Sequence, residues 1–174
     1  SGTYWSSQVL VQNQGGIGDP DVWVLYDMAL DHSGTLSQSF GINGQGTDAL
    51  FAVGWMYKGD QDNDGHDDGY NALFSIVFSE GGYIRVEELG RISGVGEADL
   101  LTLGITTEGD IYGIDTNAIL YSLKKERTWD DSIGQWGDWA IECTPIGETS
   151  FVDYPNFAGA NVIQSMGYDH NTGT

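Results

Sequence analysis

Apolar and polar residues alternate along much of this chain, and a period of two predicts β-strands. In "DLLTLGIT", Leu101, Leu103 and Ile105 are predicted to face one way, with Thr102 and Thr106 on the other side. Glycines separate such runs at intervals of roughly ten residues, as is typical of a β-sandwich or a barrel. The other predicted strands are "VWVLYDMAL", "ALFAVGWMY", "YNALFSIVF", "YIRVEEL", "DIYGID" and "AILYSL".

Two of these runs flank one acidic segment. "ALFAVGWMY" is apolar at nearly every position, which predicts a central strand covered on both faces. "YNALFSIVF" places its apolar residues at every second position from Tyr70 to Phe78. Both runs contain Ala-Leu-Phe, and we predict that they form an antiparallel hairpin connected by the acidic segment. Helix is scarce, and "LKKERTW" is the place where one turn is expected.

Composition agrees with a single folded β domain over residues 1–174. A chain of 174 residues supports one sizeable core. Apolar residues make up 40% and aromatic residues 12%, which is too much for a disordered polymer. The 26 glycines fit a turn-rich β protein, and no low-complexity linker divides the chain.

The strong negative charge excludes two classes of partner. The formal net charge is −20, with six Lys and Arg residues in all. Nucleic acids and anionic membranes bind through clustered cations, so we expect neither as a partner. No apolar run approaches the length of a membrane span, so no membrane insertion is expected. The chain begins at Ser1 without methionine, as an excised or mature fragment would, and we expect a secreted or cell-surface protein.

The acidic segment "KGDQDNDGHDDGYNALF" has the spacing of a calcium loop. Counted from Asp60, carboxylates fall at positions 1, 3, 5 and 9, and a glycine falls at position 6. Alternate aspartates in a tight coil direct their carboxylates to one point, and a cation offsets their repulsion. A solvated acidic turn without metal is the alternative. The predicted calcium ligands are Asp60, Asp62, Asp64, the backbone carbonyl of His66, Asp68 and Asn71.

The last position of this loop departs from the EF-hand pattern. Asn71 stands where a bidentate Glu is expected, and no predicted helix flanks the loop. The loop therefore resembles the D-x-D-x-D-G-x-x-D loops of thrombospondin, integrin and dockerin proteins. Without the bidentate carboxylate, we expect calcium to bind with a Kd of ~0.1–1 mM, the range of extracellular modules.

A longer stretch resembles a known fold family. The order of apolar runs and glycines in "GYNALFSIVFSEGGYIRVEELGRISGVGEADLLTLGITTEGDIYGIDTNAILYSL" is similar to the middle of a concanavalin-like (laminin-G-like) jelly roll. The resemblance covers Ala49 to Leu123 and implies an all-β, antiparallel β-sandwich with jelly-roll topology. Members are commonly lectins, carbohydrate-binding modules or adhesion modules. An echo between "MALDHSGT" and "MGYDHNTGT" keeps a propeller-like repeat as the alternative fold.

Three tryptophans near the end of the chain are candidate sugar ligands. "TWDDSIGQWGDWAIE" combines them with aspartates, and an indole ring stacks on a pyranose while a carboxylate accepts bonds from its hydroxyls. Packing of these rings in the core is the alternative, and it is the one expected for Trp23 and Trp55, which fall within strand patterns. The predicted ligand residues are Trp129, Trp136, Asp138 and Trp139.

Catalytic patterns are missing from the sequence. A glycosidase needs two carboxylates across the scissile bond, and adjacent Glu87 and Glu88 point to opposite faces of a strand. "EADLL" lacks the final Glu of the arrangement typical of jelly-roll glycosidases, and no G-x-S-x-G, H-E-x-x-H or phosphate loop occurs. We therefore expect no enzyme, with a glycoside hydrolase as the less favoured alternative.

These observations predict a non-catalytic carbohydrate-binding, lectin-like domain with calcium as its cofactor and a glycan or polysaccharide as its partner. A calcium-stabilised structural or adhesion module of a larger extracellular protein, without specific sugar binding, is the alternative function.

Overall fold

Strands dominate the computed structural model, which describes residues 22–42, 49–59, 63, 68–78, 84–130, 134–149, 166, 167 and 172. The predicted all-β class is confirmed. In chain order the elements are β1 (Val22–Asp31), α1 (Thr35–Ser39), β2 (Ala49–Gly59), β3 (Asp68–Phe78), β4 (Ile84–Ser93), β5 (Gly104–Ile105), β6 (Ile111–Ile114), β7 (Ile119–Asp130) and β8 (Gln135–Glu148).

Within these residues the strands form one mixed sheet in the order β1-β2-β3-β4-β8-β7-β6-β5. Neighbouring strands are antiparallel except β4 and β8, which pair in parallel at Ile92 with Ile141. The edge strands β1 and β5 approach each other, so the sheet is nearly closed into a barrel-like shape. The finer expectation of a two-sheet jelly roll is not confirmed by this single sheet.

Strand β2 is covered on both faces, as its apolar pattern predicts. Phe51 and Val53 are fully buried in the main core, which also contains residues of β5, β6, β7 and β8. Ala52 and Met56 alternate with them and belong to a second cluster on the other face of the sheet. The same cluster contains the alternating residues of β3 that the sequence placed on one face, namely Tyr70, Ala72, Phe74 and Ile76.

A bulge in β1 changes which of its residues face the main core. Leu25 packs against the second cluster, whereas Ala29 packs against the main core. A regular strand would place these two residues on one face. The register with β2 shifts between Leu25 and Asp27, so Tyr26 is the extra residue of the bulge. The bulge thereby moves the following residues of β1 to the main-core side.

Asp27 uses this orientation to join the two edges of the sheet. Its Oδ2 accepts a hydrogen bond of 2.9 Å from the backbone N–H of Leu103, the residue that immediately precedes β5. The backbone N–H of Met166 donates to the same oxygen at 3.3 Å. The carboxylate therefore closes the seam between β1 and β5, where few backbone pairs are formed.

One strand prediction and one helix prediction are wrong. In "DLLTLGIT" the strand covers Gly104 and Ile105 alone, and Thr102 is fully buried instead of facing outwards. The Oγ1 of Thr102 accepts a hydrogen bond of 3.0 Å from the Ile114 N–H, which makes its burial tolerable. "LKKERTW" belongs to the long strand β7, because pairing with β8 overrides a weak local helix preference.

The described helix, α1, is one short turn that follows β1. The fully buried Asp31 holds it, because its Oδ2 accepts bonds from the backbone N–H and the hydroxyl of Ser37 at 2.8 and 2.7 Å. In the described part of the chain no helix is long and apolar enough to cross a membrane.

Replacement of Gly54 by alanine tests the bulge. An alanine Cβ there would overlap the backbone carbonyl of Val24 on β1, so we expect the free energy of unfolding to fall by about 1–3 kcal/mol or more. Gly147→Ala is the matched control, since no atom lies within 4 Å of its added Cβ. That variant should be unchanged or more stable by up to about 1 kcal/mol. Urea unfolding of both variants gives the comparison, and equal stabilities would contradict the bulge geometry.

Candidate functional site at the hairpin end of the sheet

Strands β2 and β3 form the predicted antiparallel hairpin, which closes at the pair of Gly59 with Asp68. Residues 60–67 are its connection, here called the acidic connection. Asn63, a described residue within it, is exposed and has φ of 63°, a left-handed conformation that Asn tolerates. Four predicted calcium ligands, Asp60, Asp62, Asp64 and His66, lie outside the described residues, so calcium binding stays a prediction.

Of the two predicted ligands that are described, Asp68 is the half-buried first residue of β3 and Asn71 is buried in its interior. A search of the described ranges found no group of three or more His, Cys, Asp or Glu side chains that could hold a metal ion. Because most of the predicted ligand set lies outside those ranges, this finding leaves the acidic connection untested.

Asn71 joins β3 to the segment that runs from β4 to β5. Its side-chain amide donates a hydrogen bond of 2.9 Å to the Ala98 carbonyl, and its Oδ1 accepts one of 2.9 Å from the Leu100 N–H. The side chain is 5% exposed, so both bonds are shielded from water. The oxygen that the sequence assigned to calcium therefore already has a backbone partner. We call this pair of bonds the Asn71 bridge.

Asp99 lies between the two residues that the Asn71 bridge holds. Its backbone carbonyl accepts a hydrogen bond of 2.9 Å from the Thr116 N–H, so the main chain around it is fixed on two sides. The Asp99 carboxyl is half-buried, and this burial raises its pKa above the ordinary value. Tyr26 is the extra residue of the β1 bulge, two residues after Val24, which pairs with Trp55 of β2. Burial, followed by the charges of Asp99 and Tyr57, raises the pKa of Tyr26 to about 12.

Two aromatic residues of β2 lie beside this pair. Trp55 and Tyr57 alternate along the strand and are both half-buried, with their ring centroids 6.5 Å apart and an interplanar angle of 70°. The indole of Trp55 lies over Gly69 of β3, where an added Cβ would overlap its Nε1. Tyr57 pairs with this same glycine, which directly follows Asp68. Tyr26, Trp55, Tyr57 and Asp99, here called the mouth cluster, thus lie at the end of the sheet that carries the acidic connection.

The tryptophan segment belongs to the hairpin of β7 and β8. In the backbone register Trp129 pairs with Trp136, and Arg127 pairs with Trp139. The side chains of the four predicted sugar ligands lie outside the described part of the structure, so their role stays a prediction. These ligands are Trp129, Trp136, Asp138 and Trp139.

Strand register separates this hairpin from the acidic connection. Ala72 of β3 pairs with Arg91 of β4, and the next β4 residue, Ile92, pairs with Ile141 of β8. Asp68, where β3 begins, therefore lies level with β8 residues beyond Ile141, whereas Trp136 lies before Ile141. At about 3.3 Å per residue, Asp68 and Trp136 are eight residues, or about 26 Å, apart along the strands. The start of β3 therefore lies at the end of the sheet that holds the mouth cluster, away from the Trp129–Trp136 pair.

The sequence did not identify the mouth cluster. Trp55 is half-buried over Gly69, although its strand pattern placed it in the core. Trp23 does pack on the second cluster, with its ring 6.1 Å from that of Phe74. The extra residue in β1 is invisible to a period-two analysis, so nothing in the sequence brought Tyr26 next to Asp99.

Comparisons of this chain with protein-family models, with curated proteins and with solved structures returned no match. The function is therefore argued from the geometry of this chain alone.

Removal of the Asn71 bridge should destabilise the protein strongly. Asn71→Ala leaves the Ala98 carbonyl and the Leu100 N–H buried without partners, and we expect a loss of about 2–4 kcal/mol in the free energy of unfolding. The control is Asn117→Ala, because the Asn117 side chain is exposed and only its backbone N–H is bonded, to Asp115. The control should stay within about 0.5 kcal/mol of the parent in urea unfolding. Similar losses in both variants would contradict the bridge.

Proposed function

We propose that this protein is a non-catalytic carbohydrate-binding domain that holds calcium in its acidic connection. The mouth cluster is the observation that carries the proposal. It combines aromatic rings and a carboxylate, all partly accessible, at the same end of the sheet as the acidic connection.

The chemistry of the mouth cluster suits a sugar. Pyranose rings present an apolar face of C–H groups, on which indole and phenol rings stack, and an equatorial rim of hydroxyls that need acceptors. Trp55 and Tyr57 supply rings, and Asp99 supplies a carboxylate. Tyr26 stays protonated across the physiological range, because its pKa is raised to about 12, so its hydroxyl can donate. Recognition needs only these groups, and the proposal assigns no bond-breaking step.

Calcium would stabilise the hairpin that carries Trp55 and Tyr57. We assign its ligands to Asp60, Asp62, Asp64, the His66 carbonyl and Asp68, and we assign Asn71 to the bridge that it forms. Carboxylates crowded at one turn repel one another, and a bound cation converts that repulsion into folding energy. A Kd of ~0.1–1 mM would be met at extracellular calcium concentrations, which favours a secreted or cell-surface location.

The alternative function is a calcium-stabilised structural or adhesion module without specific sugar binding. The observation in its favour is that the acidic connection closes a long, well-packed hairpin whose interior Asn71 already ties to another segment. In that case calcium would secure the end of the sheet, and the aromatic residues beside it would only cover the core.

Calcium should raise the melting temperature of chelator-treated protein. At about 100 times its Kd, a ligand that binds the folded state alone contributes about 2.7 kcal/mol, or a rise on the order of 5–10 °C for a chain of this size. Asp62→Ala should lose this rise. Asp110→Ala, which removes one exposed carboxylate from the β5–β6 turn, should keep it. Differential scanning calorimetry measures the shift, and its absence from the parent protein would identify the acidic connection as a solvated turn.

A glycan array probed with the calcium-loaded protein separates the two functions. The lectin-like proposal expects retention on at least one class of immobilised glycan and loss of that signal in Trp55→Ala. The structural alternative expects a blank array together with the calcium-dependent rise in melting temperature. A blank array in the presence of calcium would therefore overturn the carbohydrate proposal.

A further inference from the structure

We propose that the mouth cluster selects neutral saccharides over anionic ones, with Asp99 as the hydroxyl acceptor and Asn71 as the residue that positions it. This inference rests on the proposed carbohydrate function and specifies the ligand class and the residues that determine it.

The positioning role follows from the geometry of the Asn71 bridge. One amide side chain contacts the residue before Asp99 and the residue after it, at 2.9 Å in each case. The bonds fix the carbonyl of Ala98 and the N–H of Leu100, so the backbone torsions that aim the Asp99 side chain have little freedom. Leu100 is fully buried and forms an isolated bridge with Asp115, which anchors the far side of the same turn. A site preorganised in this way spends less binding free energy on ordering its acceptor.

The acceptor lies on the same side of the sheet as the aromatic rings. Trp55 pairs with Asn71 in the register of β2 and β3, and Asn71 is bonded to the residues on either side of Asp99. The ring of Trp55 lies next to that of Tyr57, with 6.5 Å between the centroids. A sugar stacked on Trp55 or Tyr57 would therefore present its hydroxyl rim to a carboxylate held in a fixed position. Carboxylates accept stronger hydrogen bonds than neutral groups do, which gives Asp99 the largest polar contribution in the cluster.

The cations whose contacts are described lie away from the mouth cluster. Lys58 and Arg91 approach the ring of Tyr70, at 5.7 and 5.1 Å from its centroid, and Tyr70 packs on the second cluster across the sheet. Lys125 lies 4.4 Å from the centroid of Phe40 and donates to the Ser39 carbonyl, next to α1 at the other end of β2.

Without calcium, the mouth cluster therefore carries negative charge that no described cation balances, and the five aspartates from Asp60 to Asp68 would still outnumber the two charges of a bound ion. Besides Asp99, the half-buried Asp27 lies on the same side of β1, one residue from Tyr26. A uronic acid, sialic acid or sulfated sugar would place a second anion near these carboxylates in a partly desolvated site, where like charges repel strongly. A neutral pyranose meets no such repulsion. The charge distribution thus favours neutral ligands.

The test compares neutral and anionic oligosaccharides of equal length. Calcium-loaded protein is titrated with maltotetraose, cellotetraose, mannotetraose and tetragalacturonate, and binding is followed by calorimetry and by the fluorescence of the tryptophans. We expect binding of at least one neutral tetrasaccharide and at least tenfold weaker binding of tetragalacturonate. Asp99→Asn should weaken binding of the neutral tetrasaccharide at least tenfold. It should also narrow the difference in affinity between that ligand and tetragalacturonate. Asp110→Asn is the matched control, because Asp110 lies in the turn that contacts α1 at the opposite end.

A double-variant cycle with Asp99→Asn tests the positioning role of Asn71. Asn71→Ala should weaken neutral binding, and the double variant with Asp99→Asn should bind no more weakly than Asp99→Asn alone. A purely structural Asn71 would instead give additive losses. If Asn71→Ala fails to fold, Asn71→Ser takes its place in the double-variant cycle, and the pH profile tests Asp99 separately. Affinity of the parent should fall as the pH drops through the raised pKa of Asp99, and Asp99→Asn should lose that part of the fall.

The outcomes separate this inference from the proposed function. Neutral binding that Asp99→Asn leaves unchanged, or a preference for tetragalacturonate, would overturn the inference and leave a carbohydrate-binding domain. No binding of any probe, with a blank glycan array, would overturn both.

Discussion

The hydrogen bonds of Asn71 are the constraint on which this end of the molecule depends. A β-sheet fixes the paths of its strands, but the ten residues from Gly94 to Leu103 have little regular pairing of their own. Buried backbone groups in such a segment need partners, because each unpaired one costs about 1–3 kcal/mol. Asn71 supplies a donor and an acceptor at once, from an interior position of β3. Asp115 stabilises the next turn as an acceptor alone, since its carboxylate accepts from Asn117 N–H, Ile119 N–H and the Tyr121 hydroxyl.

The bulge in β1 and the Asn71 bridge together determine which side chains form the mouth cluster. Without the extra residue, Asp27 would lie on the side of the second cluster and could not accept from Leu103. With it, Asp27 closes the seam between the edge strands and Tyr26 lies near Asp99. A single register shift therefore produces both the near-closure of the sheet and the grouping of aromatic and acidic side chains. This is the usual effect of a bulge, which re-aims side chains and increases local twist.

Local patterns in the sequence were sufficient for the long, well-paired strands and insufficient elsewhere. The runs that became β2 and β3 are paired with a strand on each side, so their apolar period matches their burial, and their hairpin was predicted with its connection. Thr102 broke the pattern because a hydrogen-bonded hydroxyl can be buried like an apolar side chain. The partners of Asn71 lie 27 and 29 residues away, and periodicity contains no information on such pairs. The spacing of the aspartates predicted Asn71 as a metal ligand, whereas in the structure its side chain is hydrogen-bonded to two backbone groups.

The distribution of charge connects the two proposals physically. The chain has 26 acidic residues and six basic ones, and the acidic connection and the mouth cluster concentrate carboxylates at one end of the sheet. A calcium ion in the connection would reduce the repulsion felt by Asp99 and would hold the strand that carries Trp55 and Tyr57. Both effects favour the conformation that binds a sugar, so calcium and sugar should each strengthen the binding of the other, by the same factor.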